Sequence, residues 1–248
     1  PPSSAIVPSQ PRMDILHALL EKLDAGLIVS CQPVPGGPMD NAACVVGFAL
    51  AALASGAVGL RIESLAYVRA VRAATDAPII GIIKHDLDDF DVRITPTAEM
   101  ARDLCDAGAS IVAFDATARP RPDSIQSILA AIHDGGALAM ADCAEIGDAR
   151  AALAAGADCI GSTLSGYLGA GPEPTLPDFD LIAEMAALGG FVIAEGRIRS
   201  PEQAAHALAM GANAVVVGSA ITRTEHIVSW YKGAIDASGR DARDRARG

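Results

Sequence analysis

Short apolar runs alternate with longer segments of helical spacing from residue 27 to the C-terminal region of the chain. The runs are rich in β-branched residues and lie at 27–31, 57–62, 78–84, 110–116, 138–142, 159–163, 191–195 and 214–219. Runs of this length and composition predict strands that are buried on both faces. Helical segments are predicted between and after them, at 39–54, 64–74, 97–107, 124–133, 144–155, 179–188, from residue 200 onwards and at 225–235. The pattern therefore predicts alternation of eight strands and eight helices.

An internal repeat strengthens this prediction. Gly-Ala pairs end an Ala-rich helix and lead into each even-numbered strand, at 56–57, 108–109, 156–157 and 211–212. Glycine suits the left-handed cap that turns a helix towards a strand. Eight strand-helix units in 248 residues predict an α/β (β/α)₈ TIM barrel. A doubly wound open sheet is the alternative, but the sequence lacks its early G-x-G-x-x-G fingerprint.

The two ends of the chain differ from this regular part. Residues 1–11 hold four prolines and three serines, which predict a flexible leader. Residues 12–23 have apolar residues at helical spacing and are expected to form a helix that covers one end of the barrel. Residues 239–248 are rich in charge and predict a frayed tail. The expected domain is therefore a single barrel over residues 12–238.

Composition narrows the classes of partner. The net charge of −11 argues against nucleic acid and anionic membranes as partners. The chain shows neither an apolar segment long enough for a membrane span nor a signal-peptide pattern, so we expect a cytoplasmic protein. Five cysteines are scattered without C-x-x-C pairs, which supports neither a metal site nor a disulfide framework. The Ala-rich outer helices would suit a homodimer, but equally a tightly packed monomer.

Candidate chemistry lies at the C-terminal ends of the strands, where the active sites of such barrels form. Nearly every strand ends in a polar or charged residue, and together these are Gln32, Arg61, Lys84, Asp115, Asp142, Thr163, Glu195 and Ser219. Each one alone is as easily a surface charge or a loop hydrogen bond. Their convergence at one mouth is a stronger signal, because titratable groups that share a pocket mark functional sites.

Lys84 and Glu195 are predicted to act as a proton-transfer pair. They end the third and seventh strands, so a substrate could lie between them across the barrel mouth. Lys84 alone is readily explained as a solvated strand end, whereas in a pocket burial would lower its pKa. Such a lysine could act as a base or form a Schiff base, as in aldolases, and the residues leave this choice open.

A phosphate site is predicted beside them. Gly218 allows close approach of the backbone, amides near Ser219 can donate hydrogen bonds, and Arg223 adds a positive charge. Gly196, after the seventh strand, offers the matching half of the site. The alternative is an ordinary turn between a strand and a helix.

Nine segments resemble the N-acetylmannosamine-6-phosphate 2-epimerase family. They run in family order at 30–32, 59–61, 79–84, 93–97, 115–117, 140–142, 163–167, 193–197 and 217–223. The resemblance implies a barrel enzyme without a cofactor that interconverts N-acetylmannosamine 6-phosphate and N-acetylglucosamine 6-phosphate in amino-sugar breakdown.

The resemblance also assigns roles. It implies that Lys84 transfers the proton at C2 of the ring-opened sugar and that Glu195 is its acid/base partner. Substrate-binding residues would be Gln32, Arg61 and Asp142, with Thr163 beside them, and the phosphate would be bound by Gly196, Gly218, Ser219 and Arg223. A Schiff-base aldolase or lyase that uses Lys84, and a sugar-phosphate sensor without catalysis, remain the alternatives.

Overall fold

The computed structural model describes residues 10–168 and 174–245, and it confirms the predicted (β/α)₈ barrel. Eight parallel strands pair in chain order, and the last closes onto the first. The strands are β1 (Gly26–Ser30), β2 (Gly59–Glu63), β3 (Ile79–Ile82), β4 (Ile111–Asp115), β5 (Leu138–Asp142), β6 (Cys159–Gly161), β7 (Phe191–Glu195) and β8 (Ala214–Val217).

Helices follow the strands and surround the barrel. They are α1 (Gln10–Leu23), α2 (Ala42–Ala54), α3 (Leu65–Arg72), α4 (Ala98–Asp106), α5 (Ile125–Asp134), α6 (Ile146–Ala155), α7 (Phe179–Ala186), α8 (Pro201–Ala209), α9 (Ser219–Thr222) and α10 (Thr224–Arg245). Among the helices of the described ranges, none is both long and apolar enough to cross a membrane.

Two apolar clusters hold this arrangement together. One is made mainly of strand residues inside the barrel, such as Ile28, Ile80 and Met140. The other joins the strands to the surrounding helices. Leu23, at the end of α1, is fully buried and belongs to the inner cluster. Helix α1 therefore closes one end of the barrel, as the sequence predicted.

Local signals placed several boundaries correctly. The glycines of the four Gly-Ala pairs have φ values of 99°, 96°, 104° and 101°, the left-handed region in which glycine is favoured. The side chains of Ser64, Thr97, Ser124 and Ser200 cap the helices that follow them. These caps satisfy N–H groups that the first turn of a helix leaves without a partner.

Other boundaries differ from the prediction. β3 ends at Ile82 rather than at Lys84, and β8 ends at Val217 because Ser219 begins the short helix α9, which the sequence pattern did not reveal. Helix α10 continues to Arg245, beyond its predicted end at residue 235. Residues 1–9 of the predicted leader and 246–248 of the predicted tail lie outside the described residues.

Candidate active site

A cleft of about 580 Å³ opens at the C-terminal ends of the strands. Eight of the ten residues predicted to bind substrate or to react lie in its lining: Gln32, Lys84, Thr163, Glu195, Gly196, Gly218, Ser219 and Arg223. The topology explains this convergence, because parallel strands of a barrel bring their C-terminal ends to one mouth. Their arrangement in the cleft determines what chemistry these residues can perform.

The other two predicted residues, Arg61 and Asp142, lie beneath the cleft rather than in its lining. Both side chains are essentially inaccessible to solvent, at 1% and 0% exposed. Arg61 Nη2 donates to Asp142 Oδ2 at 2.6 Å, and its Nη1 lies 3.3 Å from Oδ1, so the pair is bidentate. Such a buried ion pair holds both groups in fixed positions.

Arg61 also connects this buried pair to Glu195. Its Nη1 lies 3.0 Å from Glu195 Oε2. Thr163 Oγ1 lies 2.6 Å from Asp142 Oδ1 and 3.3 Å from Glu195 Oε2, so it is within hydrogen-bond distance of both carboxylates. One guanidinium therefore faces two carboxylates in a site that is almost closed to water.

This arrangement favours a protonated carboxyl on Glu195. Burial and, less strongly, the charge of Asp142 raise the pKa of Glu195, whereas Arg61 and Lys84 lower it, and the net result is a pKa of about 7. A carboxyl that titrates near neutral pH can both donate and accept a proton under physiological conditions.

Lys84 lies half-buried at the opposite wall. Its Nζ donates to Gln32 Oε1 at 2.6 Å and lies 3.4 Å from Glu63 Oε2. Gln32 is itself oriented, since its Nε2 donates to Ser30 Oγ at 2.8 Å. Burial lowers the pKa of Lys84, and the charges of Arg61 and Arg223 lower it as well, while that of Glu63 raises it. The amine is therefore held at the cleft by two partners and loses its proton more readily than an exposed lysine.

The loop after β3 fixes the backbone of Lys84. Lys84 and Ile94 form an isolated antiparallel bridge. His85 N–H donates to the carbonyl of Arg93 at 2.9 Å, and Thr95 N–H donates to that of Ile83 at 2.7 Å. The loop thus folds back on itself as a short ribbon, which holds the lysine even though β3 has already ended.

The predicted phosphate site is built on the turn after β8. Arg223 Nε donates to the carbonyl of Gln32 at 2.7 Å, which joins this turn to the end of β1. A side chain on Gly218 would bring its Cβ within 3.2 Å of the Cβ of Ser30, so this position has little room for one. Across the cleft Gly196 has a φ of 113°. Gly218 therefore lets the turn after β8 lie close against β1, and Gly196 provides a backbone conformation that other residues rarely adopt.

Comparison with known proteins agrees with this geometry. Residues 45–237 match the model of the NanE family, "Putative N-acetylmannosamine-6-phosphate epimerase". This match covers most of the chain. The chain belongs to this family.

Individual relatives support the assignment. A "Putative N-acetylmannosamine-6-phosphate 2-epimerase" of Klebsiella pneumoniae is 52% identical over 89% of this chain and 97% of its own length. The "Bifunctional enzyme NanE/NanK" of Brucella melitensis is 54% identical over 91% of this chain, which spans 44% of that longer protein. The solved N-acetylmannosamine-6-phosphate 2-epimerase of Clostridium perfringens superimposes with a TM-score of 0.84 at 34% identity, over 94% of this chain and 99% of that one.

Three further features of this site were missed at the sequence level. Glu63, the last residue of β2, contacts Lys84, although strand 2 was predicted to end one residue earlier. Arg197 has a positive φ of 58°, rare for a residue other than glycine, and its guanidinium lies over the ring of Tyr167 in the cleft wall. Trp230, the only tryptophan of the chain, also lines the cleft from α10. The sequence carried no signal for any of these three contacts, because each depends on how separate elements pack together.

Asp115 has a different environment from the other strand-end acids. Its side chain is 1% exposed and its carboxylate is held by Arg119 at 2.5 Å, by Arg121 and by Thr117. These partners occupy its oxygens, so it organises the loop after β4 more than it offers a reactive group. Within the described residues, no group of three or more histidines, cysteines or acids is placed to hold a metal ion.

Proposed function

We propose that this chain interconverts N-acetylmannosamine 6-phosphate and N-acetylglucosamine 6-phosphate, as the names of its relatives indicate for them. The observation that carries the proposal is the pair of groups facing one cleft. A half-buried lysine with a lowered pKa lines it together with a carboxyl whose pKa lies near 7. Moving a proton at neutral pH requires one group that can accept it and one that can donate it, and these two pKa shifts suit the two groups to that task.

The chemistry proceeds through the open-chain sugar. Opening the ring places the C2–H bond next to the C1 aldehyde, which makes this proton acidic. Lys84 takes the proton, and the electron pair of the C–H bond moves into a C1–C2 double bond as the aldehyde oxygen becomes an enolate. A proton then returns to C2 on the opposite face, and closure of the ring gives the epimer.

Glu195 suits the opening and closing of the ring. A carboxyl that titrates near neutral pH can give a proton to the ring oxygen and take one from the C1 hydroxyl. In this proposal Arg61 and Asp142 act on the sugar through Glu195, because they lie beneath the cleft. Gln32 and Thr163, which line it, contact the sugar directly.

The phosphate occupies the end of the cleft near β8. Gly218 and Ser219 offer backbone amides where α9 begins, Arg223 supplies charge, and Gly196 forms the facing wall. No cofactor takes part in the proposed reaction.

Proton exchange in heavy water tests this function. Purified protein is incubated with N-acetylmannosamine 6-phosphate in D₂O, and NMR spectra follow the appearance of N-acetylglucosamine 6-phosphate and the loss of the C2 proton signal. We expect both, and we expect Lys84→Ala to abolish both while it still binds the sugar phosphate. Turnover without deuterium at C2, or full activity of Lys84→Ala, would contradict the proposed chemistry.

The alternatives predict other outcomes in the same samples. Borohydride would trap substrate on Lys84 if the enzyme worked through a Schiff base. A sensor would bind the sugar phosphate without converting it. For the epimerase we expect conversion without trapping, and Lys84→Arg serves as the control that cannot form the trapped adduct.

We further propose a cytoplasmic homodimer, with the phosphorylated amino sugar as its ligand and neither nucleic acid nor membrane as a partner. The acidic net charge supports the last point. Exposed apolar residues on the outer surface of α10 support the dimer.

A further inference from the structure

We propose that Glu63 is a positioning residue for Lys84, which holds the amine at the cleft and governs how tightly it keeps its proton. This inference rests on the proposed epimerase function. Among the described residues, Glu63 is not one of those that line the cleft, and the ion pair found for its carboxylate is with Lys84, at 3.4 Å from Nζ. It can therefore act on the reaction only through Lys84.

The strand register brings the two residues together. Glu63 pairs with Ile82 across β2 and β3, and Lys84 lies two residues further along the chain. The two side chains are 26% and 31% exposed, so their charges are only partly screened by water. Both Glu63 and Gln32 offer an acceptor oxygen to Nζ. The carboxylate of Glu63 is charged, whereas the amide of Gln32 is neutral. Removing the charge of Glu63 therefore leaves in place the hydrogen bond that Lys84 Nζ donates to Gln32 Oε1.

Backbone geometry after Glu63 indicates that its position is imposed. Ser64 has φ 73° and ψ 149°, a combination that non-glycine residues rarely adopt. The serine is fixed at both ends, since its N–H donates to the carbonyl of Ile82 at 2.9 Å and its Oγ accepts from Tyr67 N–H at 3.3 Å. The turn from β2 into α3 therefore begins immediately after Glu63, and its fixed geometry keeps the Glu63 carboxylate beside Lys84.

Other charges also face the amine. Arg61 from β2 and Arg223 from the turn before α10 lower the pKa of Lys84, and Glu195 from β7 lies close enough for its titration to respond to the lysine. Glu63 is thus the carboxylate in direct contact with Nζ, and its effect on the lysine opposes that of the two guanidinium groups. Without it, the ammonium form would lose its nearest stabilising charge.

The chain permits a direct test, because it contains only three lysines: Lys22, Lys84 and Lys232. Protein grown with lysine labelled with ¹³C at Cε gives three side-chain signals, and Lys84→Arg identifies the one from Lys84. Its chemical shift is followed against pH in the free protein, for the wild type and for Glu63→Gln. We expect the midpoint of Lys84 to fall by about one pH unit in Glu63→Gln.

A matched control removes a different carboxylate from the cleft. Asp91 lines the cleft, and no contact to Lys84 is found for it among the described residues. We expect Asp91→Asn to leave the midpoint unchanged. In Glu63→Asp the carboxylate remains but is drawn back, so its midpoint should lie between those of the wild type and Glu63→Gln. An unchanged midpoint in Glu63→Gln would overturn the proposal, as would an equal fall in Asp91→Asn.

Kinetics then separate this inference from the proposed function. The break in the pH profile of kcat/KM that coincides with the Lys84 midpoint should move to lower pH in Glu63→Gln by the same amount. A purely structural role would lower activity without moving this break. If the wild type fails to epimerise, the proposed function fails, but the titration of Lys84 still decides the role of Glu63.

Discussion

Arg61 is the residue on which the charges of the site depend. Its guanidinium lies within 3.0 Å of Asp142 on one side and of Glu195 on the other, in a region almost closed to water. One positive charge cannot balance two buried negative charges, so one carboxyl gains by holding a proton. Glu195 takes this role, since Asp142 has the bidentate contact. The acid/base group of the proposed reaction therefore arises mainly from burial, to which the charge of Asp142 adds.

The raised pKa of Glu195 predicts how the stability of the fold depends on pH. The pKa of Glu195 rises from an ordinary value of 4.5 to about 7 on folding. The native state therefore binds more protons than the unfolded state between these values, so the contribution of Glu195 to the free energy of unfolding falls as pH rises through this window. Urea unfolding at pH 5 and pH 8 should show this loss in the wild type.

Glu195→Gln provides the comparison, because it carries no charge at either pH. We expect its free energy of unfolding to change less between pH 5 and pH 8 than that of the wild type. At pH 8 it should be at least as stable as the wild type, although it should lose epimerase activity. If the free energy of unfolding had the same pH dependence in Glu195→Gln as in the wild type, Glu195 would be ionised at both pH values. The positive charge of Arg61 would then outweigh the effect of burial.

The sequence could identify most residues of the site but not their depth. Eight of the ten predicted residues line the cleft, five from strand ends and three from the turns after β7 and β8. Arg61 and Asp142 obey the strand-end rule yet lie beneath the cleft, because barrel strands are tilted and staggered, and the sequence of one strand does not reveal this stagger. Glu63 was missed for the same reason, since its contact with Lys84 depends on the register between β2 and β3.

At the scale of elements, the pattern predicted every strand but not how each one ends. The polar residues after β3 and β8 looked like continuations of strands, whereas they begin a folded-back loop and the short helix α9. Hydrophobic periodicity carries little information over so few residues. Caps were more reliable, because a serine or threonine before a helix has a specific hydrogen bond to make.

Strand β3 requires a glycine at position 81. A Cβ there would lie 2.8 Å from the Cβ of Ala109 and 3.1 Å from Cδ2 of Leu104, so the strand or its neighbours would have to move. We expect Gly81→Ala to lower the free energy of unfolding by about 1–3 kcal/mol. Epimerase activity should fall as well, because β3 leads to Lys84. Urea unfolding and a kinetic assay measure the two effects.

Gly47→Ala is the matched control in a helix. Gly47 lies inside α2, and a Cβ there would have no neighbour within 4 Å. The added methyl group should raise the free energy of unfolding by about 0.5–1 kcal/mol, because glycine is unfavourable within a helix. If both variants changed the free energy of unfolding equally, the close packing of β3 against Ala109 and Leu104 would not explain the glycine at position 81.

At the scale of the whole molecule, the outer surface of α10 carries a stripe of exposed apolar residues. Val228, Tyr231 and Ile235 are 57%, 69% and 66% exposed, and their spacing places them on one face of the helix. Trp230 of the same helix lines the cleft. A neighbouring subunit that covered the stripe would therefore also steady one wall of the active site.

Sedimentation of the wild type and of Tyr231→Glu tests the proposed homodimer. We expect the wild type to sediment as a dimer and Tyr231→Glu as a monomer, because a buried carboxylate without a partner is costly at an apolar interface. Ser229→Glu places the same charge on another face of α10 and should remain dimeric. Since α10 contributes Trp230 to the cleft, KM should rise in Tyr231→Glu more than in Ser229→Glu. A monomeric wild type would exclude the dimer, and dissociation of both variants alike would show that the stripe is not its interface.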